Sequence, residues 1–538
     1  MRRLTVGVLA VLATSFAPAC GDSGPGPSPD GMLVHLYGPG GAADPFVGVG
    51  WIRLLMTGDG IASPIATLVQ YTPGGSATLD PIPFSAPGQK RQLIVEGLAD
   101  AGGQPSFTIS RGRAKPLEVL ESSDTTDLDV LLGRVNTFLS LISTDTKTPQ
   151  LLAQGRVGHA AVVTPREVVI SGGGTIAQAS AAYWNGRSFA QVLPSVEAID
   201  LTTMQISART DMKLPRSWHT ANTLSSGQVI FAGGFDSAGN PTSSCELYNP
   251  PDILEGKALE LLPLAVPRAG QTATLLDDAQ RLILFVGGDA QGTWELWDPV
   301  NGSQGAQPLP DSLPRRHHTA TLFRLPNRSE PAVLVAGGET DNTVHATAML
   351  FDSVAKAMVP VSEAMPGGAR TQLSAVWVPE RNFIYVAGGF TDVQRSGVTA
   401  AIDVFDVSKN PPAFVAGNGG FRMRTARGGQ QAVGLPDNVV FMAGGAGDEP
   451  AGTGIRPLGS LEVIHEFVDT TSLTLRIEVA SSWNPGGIGQ VPYLPADRIG
   501  HRVVALDSGM ALVIGGAAID QGGGGYRMVK ELSLYNPQ

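Results

Sequence analysis

Short runs of Val, Ile and Leu bounded by Gly and Pro dominate the chain, and no helical period is sustained for long. This pattern predicts an all-β protein. The strands come in two regimes. From about residue 31 to 133 the apolar runs are short or alternating, as in "MLVHLYG", "GWIRLLMTG", "IATLVQY", "RQLIVEGLA", "PSFTISRG" and "DLDVLL". Turn signals separate them at the spacing of a sandwich of two sheets. Beyond about residue 135 the runs become continuously apolar and end on a glycine pair, as in "VIFAGG" and "LILFVGG". A strand that is apolar at every position is buried on both faces.

The second regime is periodic. Glycine pairs begin at Gly172, Gly233, Gly287, Gly337, Gly388, Gly444 and Gly515. Upstream of each stands an arginine: Arg156, Arg216, Arg268, Arg315, Arg370, Arg427 and Arg498. Three residues after the arginine come His159, His219, Gln271, His318, Leu373, Gln430 and His501. Downstream, most units carry an aromatic before Asp or Asn, as in Tyr248-Asn249, Trp297-Asp298, Phe351-Asp352, Phe405-Asp406 and Tyr535-Asn536. The spacing is ~50 residues, with longer units at both ends of the series, and a repeat of that length is one unit of an array.

Arginine, glycine pair and aromatic-Asp at this period resemble the kelch motif, and the resemblance covers residues 135–538. It implies a β-propeller of seven blades, with small residues such as Ala160, Thr220 and Thr272 on the crowded innermost strands. A single blade could not bury both its faces, whereas a ring of blades can. The last unit stops just past its third strand, at "LSLYNPQ", and "VNTFLSLI", Val135 to Ile142, is placed to supply the missing outer strand and close the ring. The expected organisation is therefore a small β-sandwich, immunoglobulin-like or transthyretin-like, over residues 32–133, followed by a seven-bladed propeller over 135–538.

The first residues read as targeting signal. Arg2 and Arg3 precede an apolar stretch from Leu4 to Ala13, too short to span a bilayer, and small residues precede Cys20. The stretch resembles a bacterial lipobox, with residues 1–19 as the signal peptide, Cys20 as the lipidated residue and the Gly/Pro/Ser-rich 20–31 as a flexible tether. The family pattern prefers Leu where Ala17 stands, and Pro18 is unusual there; secretion after cleavage near Ala19 is the alternative. The expected location is the cell envelope, at the outer membrane or cell surface. Cys245 is the only other cysteine, so no disulfide accounts for Cys20 once the peptide is removed. The net charge of −11 argues against a nucleic-acid partner, because phosphate binding needs a basic footprint.

Candidate chemistry is sparse. The resemblance extends to copper-radical oxidases, which need a Tyr–Cys cross-link and two copper-binding histidines. Here the available thiol, Cys245, falls on a buried third strand and reads as structural. The four histidines at the repeat position belong to different blades, and Gln271 and Gln430 share their slot, which suits hydrogen bonding inside the blade. Acidic residues follow the glycine pairs (Asp236, Asp289, Glu339, Asp392, Asp448, Glu449, Asp520), where turns favour them in any case. "DSAGN", Asp236 to Asn240, has too few oxygen ligands for a calcium loop. No catalytic residue, metal site or cofactor is assigned. The expected function is binding or scaffolding, with an extracellular or periplasmic protein or glycan as partner; the alternative is a carbohydrate-acting or copper-dependent oxidase-type enzyme with a pocket at the channel mouth. The arginines begin first strands, so they ring the same face as the long insertions Gly174 to Ser195 and Ser481 to Asp497. That places ligand contact at Trp184, Trp483, Arg156 and Arg498, with pairing of the arginines to neighbouring carboxylates as the competing account of the arginine ring.

Overall fold

A computed structural model describes residues 4–8, 32–38, 44–72, 88–114, 116–118, 127–141, 149–176, 189–201, 203–251, 258–277, 279, 281–416, 422–447, 455–469, 474–481, 493–520 and 526–537. The chain is all-β, with 50% of residues in strands and 1% in helices. Among the described residues no helix is long and apolar enough to cross a membrane. The chain divides into two compact units: Met1–Lys147 with Leu506–Met510 and Leu534–Gln538, and Thr148–Ala505 with Ala511–Ser533.

In the first unit a five-stranded sheet has the order Ile65–Gln70, Val49–Gly58, Arg91–Asp100, Pro105–Arg113, Gly133–Arg134. A three-stranded sheet has the order Leu4–Val8, Met32–Tyr37, Asp127–Leu131. Alternate residues of the long strands, Ile52, Leu54 and Met56 with Leu93 and Val95, share one apolar core with Val34, Leu36 and Val130 of the smaller sheet. Leu4–Val8, read from the sequence as part of a signal peptide, lies here on the edge, antiparallel to Met32–Tyr37. The parallel pairing of Met32–Tyr37 with Asp127–Leu131 is independent of it.

The first compact unit extends through Lys147 and takes in Leu534–Gln538. Hydrogen bonds join these segments within it. Asn136 donates its backbone N–H to Asn536 O at 2.7 Å, and Asn536 Nδ2 donates to Gly133 O at 2.6 Å and Arg111 O at 3.0 Å. These bonds tie Arg111, Gly133 and Asn136 to Asn536, and Phe138 packs against Tyr535 with ring centroids 5.4 Å apart.

Among the described residues, seven antiparallel sheets of four or five strands follow one another along the rest of the chain, and six are built in sequence order from their own segment. The second is typical: Thr220–Thr223, Val229–Ala232, Cys245–Tyr248, Leu259–Leu261. Its second strand, Val229–Ala232, is buried throughout, as the continuous apolar run predicts. The seventh has the order Arg502–Ala505, Ala511–Ile514, Leu532–Asn536, Thr137–Ser140, so Thr137–Ser140, from the described part of the segment Val135 to Ile142, stands beside Leu532–Asn536.

The first strands of successive sheets touch one another, and Arg502–Ala505 of the seventh touches Ala160–Val163 of the first. The glycine pairs make the links. The second glycine of each pair donates its N–H to the carbonyl of the next sheet's arginine: Gly173 to Arg216, Gly234 to Arg268, Gly288 to Arg315, Gly338 to Arg370, Gly389 to Arg427, Gly445 to Arg498 and Gly516 back to Arg156, all at 2.8–3.1 Å. The first glycine makes room for the next sheet's side chain three residues past its arginine. A Cβ on Gly233 would sit 2.4 Å from Gln271 Nε2, and one on Gly515 would sit 2.9 Å from His159 Cε1. Both glycines also hold positive φ, which other residues adopt at a cost.

Candidate functional site

The seven repeat arginines are buried, with at most 1% exposure. Each guanidinium ties down the strand ends of its own sheet. Arg216 donates to Gly233 O at 2.8 Å, Ser244 O at 3.0 Å and Ser244 Oγ at 2.9 Å, and pairs with Glu246. Arg156 does the same with Gly172, Ser195 and Glu197, and Arg427 with Gly444, Ser460 and Glu462. Arg268 pairs with Glu295 and Asp289, and Arg370 with Asp403. With one exception, Asp289, these carboxylates stand on the third strand and not after the glycine pair. Sheets four and seven have Met349 and Ser533 at the strand position that is acidic elsewhere. Sheet four compensates with Asp311. In sheet seven Arg498 bonds only neutral acceptors among the described residues: Ala496 O, Gly515 O, Glu531 O and Ser533 Oγ. Burial pulls the Arg498 pKa down to about 10, partly offset by Glu531.

These facts decide two of the four expected ligand contacts. Arg156 and Arg498 are each 0% exposed and engaged within their own sheets, so neither guanidinium is available to a ligand in this structure. The physical reason is the repeated internal partner set, which turns a nominally surface residue into a buried strut. Trp184, Trp483 and Cys20 lie outside the described residues. The residues that follow some glycine pairs are likewise spoken for. Asp236 accepts N–H bonds from Ala238 and Asn240, which makes "DSAGN" a self-closed turn.

The side chain three residues after each arginine works between sheets, not inside one. Gln271 Nε2 donates to Ala232 O at 2.9 Å, Gln430 Nε2 to Ala387 O at 2.7 Å, and His501 Nε2 lies 3.1 Å from Ala443 O. His219 Nε2 lies 2.8 Å from Ser171 Oγ, and His318 Nε2 2.8 Å from Thr272 Oγ1. Burial, with help from neighbouring guanidiniums, pushes the pKa of His318 and His501 down to about 3 and that of His159 and His219 well below the ordinary value. The imidazoles of His219, His318 and His501 are neutral structural latches between sheets. Among the described residues no three His, Cys, Asp or Glu side chains group as a metal site. Cys245 is buried and unlinked, with its thiol pushed up to about 12 by desolvation.

What the repeat leaves over is the space between the first strands. A cavity of about 560 Å³ is lined by residues of all seven sheets, within the range of small-molecule sites. Its walls are small and hydroxylic, with Thr220, Thr272, Thr319 and Ser374, and its lining residues include no Asp or Glu. The one permanent charge is Arg502, whose Nε donates to His159 O at 2.7 Å and Nη1 to Gln431 Oε1 at 3.3 Å.

One end of the cavity is bounded by the residue two past each arginine. All seven of these have positive φ: Gly158, Trp218, Gly270, His317, Gln372, Gly429 and Gly500, at 49–69°. The conformation lets neighbouring sheets join by backbone hydrogen bonds. Trp218 N–H meets Gly158 O, Gly270 meets Trp218, His317 meets Gly270, Gln372 meets His317 and Gly429 meets Gln372, at 2.8–3.1 Å. Four positions use glycine, as the backbone prefers. Trp218, His317 and Gln372 do not, and each holds a strained conformation costing ~1 kcal/mol or more. The Trp218 and His317 rings meet edge to face, 4.7 Å between centroids. Phe189, the described end of the first long insertion, flanks Gly158 together with Trp218. The sequence carried a signal for this mouth, because four of the seven units place glycine in that register.

Compared with known proteins, the chain matches no family model and no curated protein.

Proposed function

We propose that this chain is a seven-bladed kelch-type β-propeller that works as a binding protein, held at the cell envelope through a lipid on Cys20 and taking its ligand at the mouth of the central cavity. Support for the propeller comes from the seven sheets, the contacts between their first strands and the glycine-to-arginine hydrogen bonds that return from the seventh sheet to the first. The observation that carries the binding reading is the mouth itself. Trp218, His317 and Gln372 keep a backbone conformation that glycine serves better, and they keep it side by side over a polar cavity. Strain retained at clustered positions is a mark of function. A ligand of protein or glycan class is expected there. Arg156 and Arg498 play no part, and the surface is redrawn around Trp218 and His317, with Trp184 and Trp483 on the neighbouring insertions as further contacts.

A screen of extracellular proteins and glycans tests the reading, followed by Trp218→Gly with His317→Gly. The double variant is expected to fold, because glycine suits both backbones, and to lose the partner found by the screen. Undiminished binding by a folded double variant refutes the assignment of the mouth. The anchor is tested separately: Cys20→Ala is expected to move the protein from the membrane to the soluble fraction, and retention in the membrane refutes lipidation.

A further inference from the structure

Given cleavage of residues 1–19, on whose reading as a signal peptide this inference rests, we propose that loss of the leader opens the Met32–Tyr37 edge of the first unit, and that in the mature protein this edge pairs antiparallel with the same strand of a second copy.

The edge is defined by its ladders. Met32–Tyr37 has a strand on each side: Asp127–Leu131, which is parallel, and Leu4–Val8, which is antiparallel with Leu4 opposite Leu36, Val6 opposite Val34 and Val8 opposite Met32. Cleavage before Cys20 takes Leu4–Val8 away and leaves two strands of the three, with an open row of N–H and C=O groups on Met32–Tyr37. The sequence of that edge gives it no protection. "MLVHLY" has none of the acidic residues, lysines or prolines that blunt exposed edges. Val34 and Leu36 are fully buried in the core beneath it, so the strand itself stays in place. The opposite edge, Asp127–Leu131, carries Asp127 and Asp129 and keeps the same neighbour with or without the leader.

The rest of the unit is poorly equipped to replace the lost strand. The tether, 20–31, is rich in Gly, Pro and Ser; the stretch 73–87 carries four prolines; and 119–126, "VLESSDTT", is polar after its first two residues. A second copy supplies what is missing. Antiparallel pairing of two identical strands is two-fold symmetric, so one edge serves both copies and the contact closes at two. A slip of one residue would turn Val34 and Leu36 out of the core, so only registers that keep them on their own face are open. These registers are centred on His35 or on Val34, and they set His35 opposite His35 or opposite Leu33 of the other copy. The tether runs directly into Met32. Anchored copies therefore present this edge at the same short distance from the membrane, where a shared surface raises their effective concentration.

The test uses the mature chain, residues 20–538, with Cys20→Ala in place of the lipidated residue. Sedimentation velocity at up to about 100 µM, a concentration suited to an interface of one strand pair, is expected to show a dimer that dissociates on dilution. A peptide of residues 2–9, which contains Leu4–Val8, is expected to occupy the opened edge and return the protein to monomer. Leu33→Cys with His35→Cys is expected to cross-link two copies on air oxidation, because either register sets a cysteine opposite a cysteine. The peptide is expected to prevent that cross-link, and Cys245 is buried and does not compete. A monomer at every concentration that still binds the peptide overturns the second copy and assigns the open edge to a strand of a different protein. A monomer that does not bind the peptide overturns the open edge altogether. Mass spectrometry of the exported protein decides the leader separately: a mature chain that retains Leu4–Val8 overturns the cleavage reading, and this inference with it, whatever the shortened chain does.

Discussion

Replacing a repeat arginine by methionine separates the two kinds of strut in the array. Arg216 is fully buried and holds Gly233 O, Ser244 O, Ser244 Oγ and the Glu246 carboxylate. Arg216→Met keeps most of the volume but strands Glu246, itself 1% exposed, with only the N–H groups of Lys213 and Leu214, at 2.7 and 3.2 Å, to hold it. Breaking a buried pair by removing one partner costs about 3–5 kcal/mol. Arg498→Met removes donors from neutral acceptors only, in a sheet where Ser533 stands in the acidic position. Leaving buried neutral acceptors unpaired costs about 1–3 kcal/mol. Arg216→Met should therefore be the more damaging change by about 2 kcal/mol, although Arg498 is equally buried. Urea unfolding followed by tryptophan fluorescence measures the difference, and Arg216→Met with Glu246→Leu should recover much of the loss because no charge is then stranded. Equal costs for the two single changes, or no recovery in the double variant, would refute the claim that the arginines are internal ion-pair struts.

Two further outcomes follow from the links between sheets. Gly233→Ala places a Cβ 2.4 Å from Gln271 Nε2 and 2.8 Å from Arg268 O at φ 63°, and should cost more than about 2 kcal/mol, whereas Gly227→Ala, at φ 87° with nothing nearer than 3.8 Å, should cost only the backbone strain of about 1 kcal/mol; similar costs at both sites would contradict the link. The buried histidines make the fold acid-sensitive. His501 and His318 have folded pKa values of about 3, below the ~6.5 of the unfolded chain. The unfolded state thus binds more protons, and their contribution is intact above pH ~6.5 and lost as pH falls from there toward 3, by about 1.4 kcal/mol per pH unit for each. Glutamine fills the same slot in sheets three and six, so His501→Gln should fold and show a shallower acid slope in stability measured from pH 7 to 4; an unchanged slope would count against a neutral buried His501.

The parts of the fold that could be read from the sequence are those written seven times. Glycine pairs, arginines and the slot occupied by His159 or Gln271 stand out because each recurs in register, and repetition turns a weak local signal into a strong one. The role of the arginines was less legible. Glu197, Glu246, Glu295, Asp403 and Glu462 occupy the same position of the third strand, but they lie 27 to 41 residues beyond their arginines, while the acids after the glycine pairs sit much nearer and drew the pairing to themselves. Burial of a guanidinium is also a collective property: only the full set of carbonyl, hydroxyl and carboxylate partners makes it affordable, and the strand register that gathers them is absent from local composition. The cavity mouth was hidden for the opposite reason. Trp218, His317 and Gln372 depart from the glycine of their register, and a departure carries meaning only once the φ of that position is known.

The central claim is that the array closes on itself by borrowing Thr137–Ser140 to complete the sheet that ends with Leu532–Asn536. Phe138 and Tyr535 meet across that pairing with ring centroids 5.4 Å apart, from positions far apart in sequence. A double-mutant cycle of Phe138→Ala and Tyr535→Ala, read by urea unfolding, measures the contact directly. Closure predicts a favourable coupling of about 0.5–1.5 kcal/mol between the two rings. Additive effects, with a coupling indistinguishable from zero, would contradict it.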